Sequence, residues 1–260
     1  MHGRGDNAND MVDCFLPTLQ KRYGGTLSRL DDVDAQDTQS HGPLAVIGIE
    51  AMDNVWYPNS HNATEQVFTQ QSEPYQFSAL TKIRDTILDL HQNIRLTLDN
   101  IVFVGFSQGA ILGNTYLLAG MNQLLNGDND QEPIPLPGYI LALAGSLFKT
   151  PPQFPIRGYA SDEHQKSSSA ASHSTHTNNI TQPKRIVNRI LWGLADRFFS
   201  EEEIKAAASQ LSDCASKLAQ SDTGLDVAVS IGPEPDQGHI ITPRMVAAVV
   251  QSLDTVLGIE

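Results

Sequence analysis

The stretch IVFVGFSQGAILG, residues 101–113, places one serine between two glycines immediately after an apolar run. Ile101 to Val104, β-branched and aromatic, reads as a buried strand. Gly109, Ala110, Ile111 and Leu112 read as the opening of a helix. Between them, Gly105-Phe106-Ser107-Gln108-Gly109 is a G-x-S-x-G turn in a strand–turn–helix setting, which presents a serine hydroxyl at the end of a sheet. Ser107 is therefore a candidate nucleophile. A serine hydroxyl attacks only when a base takes its proton, so the rest of the chain must supply a base, an orienting acid and oxyanion donors.

Outward from this stretch, strand-like runs recur with helical segments between them. LAVIGIEA (44–51), YILALAGS (139–146), RILWGLA (189–195) and LDVAVSIG (225–232) join IVFVG (101–105) as expected strands. Apolar runs without strict alternation suit parallel strands covered on both faces. Near Pro74 an amphipathic helix begins, with Phe77, Leu80, Ile83, Ile87 and Leu90 three and four residues apart. Ser200 and Glu203 form a capping box ahead of Ile204, Leu211 and Leu218. Thr242-Pro243 opens a last helix that runs to about Leu257. Alternating strands and helices predict an α/β fold, a doubly wound and mostly parallel sheet with helices on both faces.

In such a sheet the functional loops gather at the carboxyl ends of the strands. Asp196 directly follows RILWGLA, and His239 lies in GPEPDQGHIITP between the last strand and the last helix. The chain order Ser, Asp, His is the one expected after a G-x-S-x-G elbow. His239 is the expected base, and Asp196 the group that orients it. The Gln108 N–H, at a helix N-terminus, is one expected oxyanion donor. The second is expected from an earlier glycine-containing loop, His2-Gly3-Arg4-Gly5-Asp6, through the backbone of Arg4.

Composition sets the outer bounds. With 260 residues, 40% hydrophobic and 18% charged, the chain is long enough for one large α/β domain spanning 1–260. Its 17 basic and 30 acidic residues leave a formal charge of −13, which repels phosphate backbones and argues against nucleic acid as a partner. No apolar run approaches the roughly 20 residues that cross a bilayer, and no signal peptide is expected from the polar opening MHGRGDNAND. Cys14 and Cys214, far apart in sequence, are read as two thiols of a reducing compartment rather than a disulfide. A cytoplasmic location is the expectation. Residues 161–184, rich in Ser, Thr, His and Asn, are read as a disordered surface insert. Its His164, His173 and His176 lack a carboxylate or cysteine at ligand spacing, so no metal site is expected.

Taken together these pieces resemble the phospholipase/carboxylesterase family of α/β-hydrolases, which includes acyl-protein thioesterases. HGRGD (2–6) resembles that family's oxyanion loop, and GFSQGA (105–110) its elbow. VWYP (55–58), SEP (72–74) and SAL (78–80) are similar to its substrate-side loop and the following helix. WGLAD (192–196) and GH (238–239) correspond to its acid and histidine loops. The resemblance implies an α/β-hydrolase fold and hydrolysis of carboxylic esters or thioesters through an acyl-enzyme, without metal or organic cofactor. It implies backbone oxyanion donors at Arg4 and Gln108, and Trp56, Tyr57 and Phe106 as lining of the acyl or alcohol pocket. The substrate would be a small-molecule ester or an acylated protein. Family members carry an apolar strand directly before H-G-x-G, where this sequence has only Met1. The expectation is that segments 44–51 and 101–105 lose a shared neighbour. The alternatives are a truncated, catalytically impaired member or a non-catalytic ligand-binding one; a peptidase or dienelactone hydrolase ranks below both.

Overall fold

The structure, a computed structural model, describes residues 1–24, 27–29, 44–57, 73–127, 134–148 and 181–259. Its centre is a four-stranded sheet, all parallel, in the order β3 (Val102–Phe106), β4 (Tyr139–Leu143), β5 (Arg185–Gly193), β6 (Asp226–Glu234). Two short strands, β1 (Leu27–Arg29) and β2 (Leu44–Val46), form a separate parallel pair.

Helices cover both faces of the central sheet. On one lie α2 (Glu73–Gln92), α3 (Gln108–Asn126) and α4 (Glu201–Ala219), packed with Ile140, Ala142, Ile190 and Trp192 in one core. On the other lie α1 (Ala8–Tyr23) and α5 (Pro243–Leu257), packed with Leu141, Leu143 and Leu191. Neighbouring residues of β4 therefore serve opposite cores, as the two-residue period of a strand requires, and Ile140 to Leu143 are all buried. That is why the run shows no polar alternation.

Local signals place the helices where the sequence predicts them. Ser200 accepts from the Glu203 N–H while Glu203 accepts from the Ser200 N–H, closing the capping box of α4. Thr242 accepts from the Met245 N–H at the start of α5, where Pro243 needs no donor. Phe77, Leu80, Ile83 and Ile87 of α2 are buried, with Leu90 half-buried behind them.

Helix α1 is an element that the sequence reading does not contain. Its polar opening and internal Pro17 hide a repeat of Met11, Phe15, Leu19 and Tyr23, four residues apart, which seats the helix against α5. The expected strand at 44–51 shrinks to Leu44–Val46, and the segment expected at 189–195 begins four residues earlier. Residues 161–180, with the three histidines, lie outside the described residues. Gln182, near the end of that tract, is seated by two bonds: it accepts from the Leu136 N–H and donates to the Ile134 carbonyl.

Strands β2 and β3 are not paired with one another. Between them runs an apolar groove lined by Leu44, Ile47, Ile49, Val102 and Val104. Among the described residues Met1 alone pairs with β3 on this side, its amino group donating to Val104 at 2.6 Å and its carbonyl accepting from Phe106 at 3.1 Å. These two bonds are one rung of a parallel ladder opposite Gly105. Burial pushes the Met1 amino group down from 8.0 to about 5.

A base whose folded pKa is lowered binds its proton more tightly in the unfolded chain. For a chain starting at a free Met1 amine, that stability is complete above pH 8 and is lost as pH falls toward 5. Urea titrations should show this slope, on the order of 1 kcal/mol per pH unit inside the window. The same chain with one residue linked ahead of Met1 should lack it.

Candidate active site

At the carboxyl end of β3 the chain turns steeply into α3. Ser107 sits in this turn with φ 53° and ψ −116°, a conformation that side-chain-bearing residues rarely adopt. Strain of this kind costs on the order of 1–3 kcal/mol and persists only where neighbours hold it. Here the Ser107 N–H donates to Leu143 of the next strand at 2.9 Å, and its carbonyl accepts from Ala110 and Ile111. A Cβ at Gly105 would collide with the carbonyl of Gly109, so the strand and helix can approach this closely only without one.

The acid and base arrive from the ends of β5 and β6. His239 Nε2 lies 2.9 Å from Ser107 Oγ, and its Nδ1 lies 2.8 Å from Asp196 Oδ2. The Asp196 side chain is fully buried, whereas that of His239 keeps 16% of its surface exposed. The other Asp196 oxygen accepts from the N–H groups of Phe198 and Phe199, which fixes the carboxylate's rotation. A carboxylate only accepts, so Nδ1 carries the proton and Nε2 is left to accept from the serine hydroxyl. Three phenyl rings surround the imidazole: Phe106 at 5.0 Å, Phe198 at 4.8 Å edge-on and Phe199 at 5.6 Å.

The histidine loop is clipped at both ends. Glu234, the last residue of β6, accepts from the Thr242 hydroxyl at 2.7 Å. Within the loop, Gln237 accepts from the Ala195 N–H at 2.8 Å. This carbonyl lies so close over Gly193 that any side chain there would meet it.

Loop 1–6 crosses the start of α3. A Cβ at Gly109 would lie 2.7 Å from the Met1 carbonyl and 2.9 Å from that of His2, so the loop rests on the helix N-terminus beside Ser107. Arg4 is exposed in the turn of this loop, and the Gly5 N–H donates to Asn54. Gln108 holds the first helical position, where a backbone N–H has no acceptor inside the helix.

Buried His2 is a brace that sequence reasoning missed. Its Nε2 accepts from the Ala51 N–H at 3.0 Å, so Nδ1 is the protonated nitrogen that meets the Gly3 carbonyl at 2.6 Å. Trp56 and Tyr57, expected in a pocket lining, are buried at 4% and 2% exposure. Trp56 donates to the His2 carbonyl, and the Gln108 side chain ties down both residues, accepting from the Trp56 N–H and donating to the Tyr57 carbonyl. Their contacts brace loop 1–6 against α3. Phe106 is half-buried between Gly3 and His239.

No family model matches the chain, and no curated protein matches it in sequence. Solved structures do match in shape. A phospholipase/carboxylesterase from Dyadobacter fermentans superposes with a TM-score of 0.53 at 19% identity, covering 98% of this chain and 87% of that one. A variant of SOBER1 from Arabidopsis thaliana gives 0.52 at 14%, covering 98% and 97%. Esterase PE8 gives 0.53 at 14%, covering 98% and 89%. The fold is that of the α/β-hydrolases. An α/β-hydrolase sheet sets its functional loops at the carboxyl ends of the strands, and Ser107, Asp196 and His239 stand there. Among the described residues no cluster of His, Cys, Asp and Glu could hold a metal ion, and no helix is long and apolar enough to cross a membrane.

Gly109→Ala should press its methyl group into the Met1 and His2 carbonyls and displace loop 1–6. The urea midpoint should fall with the m-value unchanged, by an amount equivalent to about 1–3 kcal/mol.

Proposed function

We propose that this α/β-hydrolase is a serine esterase that cleaves carboxylic esters or thioesters through an acyl-enzyme. The observation that carries the reading is the unbroken chain of hydrogen bonds from Asp196 through His239 to Ser107 on a strained elbow. In the first half-reaction Ser107 Oγ attacks the carbonyl carbon and its proton passes to His239 Nε2. The carbonyl oxygen gathers negative charge, which the Gln108 and Arg4 N–H groups meet. The bond to the leaving group breaks, and Nε2 returns the proton to it. Water then repeats the sequence on the acyl-serine and releases the acid. Asp196 orients the imidazole and stabilises its charged form. These steps use only groups of the chain and water, with no metal or organic cofactor.

The esterase neighbours support this class of chemistry, and the substrate would be a small-molecule ester or an acylated protein. Cys14 and Cys214 are both free thiols, which supports a cytoplasmic site of action.

Treatment with a fluorophosphonate should add one adduct, located by mass spectrometry on Ser107 and absent from Ser107→Ala. Asp196→Asn should preserve the fold yet lower kcat on p-nitrophenyl acetate by roughly 10⁴-fold, since it removes the acceptor that holds the tautomer. Intact circular dichroism with neither labelling nor turnover would favour a non-catalytic ligand-binding protein.

A further inference from the structure

Phe198 stands out at the rim of the site. Among the described residues eight large apolar side chains are exposed, Ile47, Tyr75, Ile94, Leu194, Phe198, Ile231, Ile240 and Ile259. Three of them, Leu194, Phe198 and Ile240, fall within two positions of Asp196 or His239. Scattered exposed apolar residues need no explanation, but one whose ring packs on the imidazole of a polar site does. Phe198 differs from Phe199, which is buried with its ring centre 5.6 Å from the imidazole. Phe198 itself is 46% exposed while its ring stands T-shaped to His239 with centres 4.8 Å apart, and the Arg197 guanidinium lies 4.9 Å from the ring centre. The cation and the imidazole hold the ring in place and leave much of its surface bare.

Proton transfer says what stands there. His239 Nε2 takes the proton from Ser107 and gives it to the departing oxygen or sulfur. That atom must come within roughly 3 Å of Nε2. The group it carries extends a few bonds further, a reach comparable to the spacing between the imidazole and the Phe198 ring. In the proposed mechanism the acyl oxygen faces the Gln108 N–H and loop 1–6, and Phe106 packs against Gly3 and His239.

The geometry points to Phe198 as a specificity residue for the leaving group, selecting esters of flat apolar alcohols such as aryl alcohols over small polar ones. This inference rests on the serine-esterase reading of Ser107 and His239. The acyl-enzyme is common to all esters of one acid, so the selection acts in acylation and leaves deacylation alone.

The test uses two acetates, of 1-naphthol and of 2,2,2-trifluoroethanol, on the wild-type chain, Phe198→Ala and Phe198→Leu. The ratio of variant to wild type for each ester cancels the intrinsic reactivity of its leaving group. Phe198→Ala should lower kcat/KM for naphthyl acetate roughly tenfold or more, and for trifluoroethyl acetate less than about twofold. The rate of deacylation of the acetyl-enzyme should be unchanged, and Phe198→Leu should recover part of the loss. Equal losses on both esters together with slower deacylation would mean that the ring merely positions His239, and would overturn the proposal. So would no loss on either ester. If the wild-type chain hydrolyses neither acetate and Ser107 takes no fluorophosphonate, the esterase reading falls and the subsite falls with it.

Discussion

The close approach of α3 to the end of β3 governs the geometry of this molecule. A strand cannot turn into a helix within so few residues unless side chains are absent where the two backbones meet. Gly105 faces the Gly109 carbonyl, and Gly109 faces the carbonyls of Met1 and His2. The turn so formed forces Ser107 to a positive φ. It also leaves the first N–H groups of α3 without acceptors inside the helix, and their partial positive charge is what the proposed mechanism uses at the oxyanion. The proposed nucleophile and one proposed oxyanion donor are thus products of one steric constraint.

Parallel register supplies the rest. Because β3 to β6 run the same way, the chain leaves β3, β5 and β6 at one edge of the sheet. Asp196 and His239 come from adjacent strands, so their contact needs little reach. His239 must extend further, across the ends of β5 and β4, to meet Ser107. The loop that carries it is held by the Glu234–Thr242 bond and by the close packing of Gln237 on Gly193. Removing entropy from that loop in advance is what lets a partly exposed imidazole keep one orientation. Around it, Phe106, Phe198 and Phe199 exclude water from most of the ring without competing for its nitrogens.

Loop 1–6 is held differently, by polar groups. His2, Trp56, Tyr57 and Gln108 form a buried circuit in which each bond fixes a backbone segment. Gln108 contributes twice, its N–H at the helix start and its side chain to residues 56 and 57. Trp56 and Tyr57, which look like pocket lining in the sequence, pack here in the core, the Trp56 indole N–H engaged by the His2 carbonyl. Residue type did not reveal this, since an exposed pocket wall and a buried brace draw on the same Trp and Tyr.

Much of the fold was legible from periodicity. The apolar runs of β3 to β6, the capping box of α4, Thr242-Pro243 before α5 and the apolar spacing in α2 are local signals read over a few residues, and they specify elements in chain order. The elbow and the Ser, Asp, His order were legible for the same reason, because parallel topology turns order along the chain into position in space. Helix α1 was not. Its apolar repeat is interrupted by Pro17 and acquires meaning only against α5, more than 200 residues away. The shortening of β2 and the groove beside it were set by which strands find partners, and the exposure of Phe198 by what its neighbours leave uncovered. The sequence by itself determined which residues could do chemistry and at which strand ends they stand. Tertiary structure alone decided the distances between them and the burial of each ring, because these depend on contacts between segments that no local window contains.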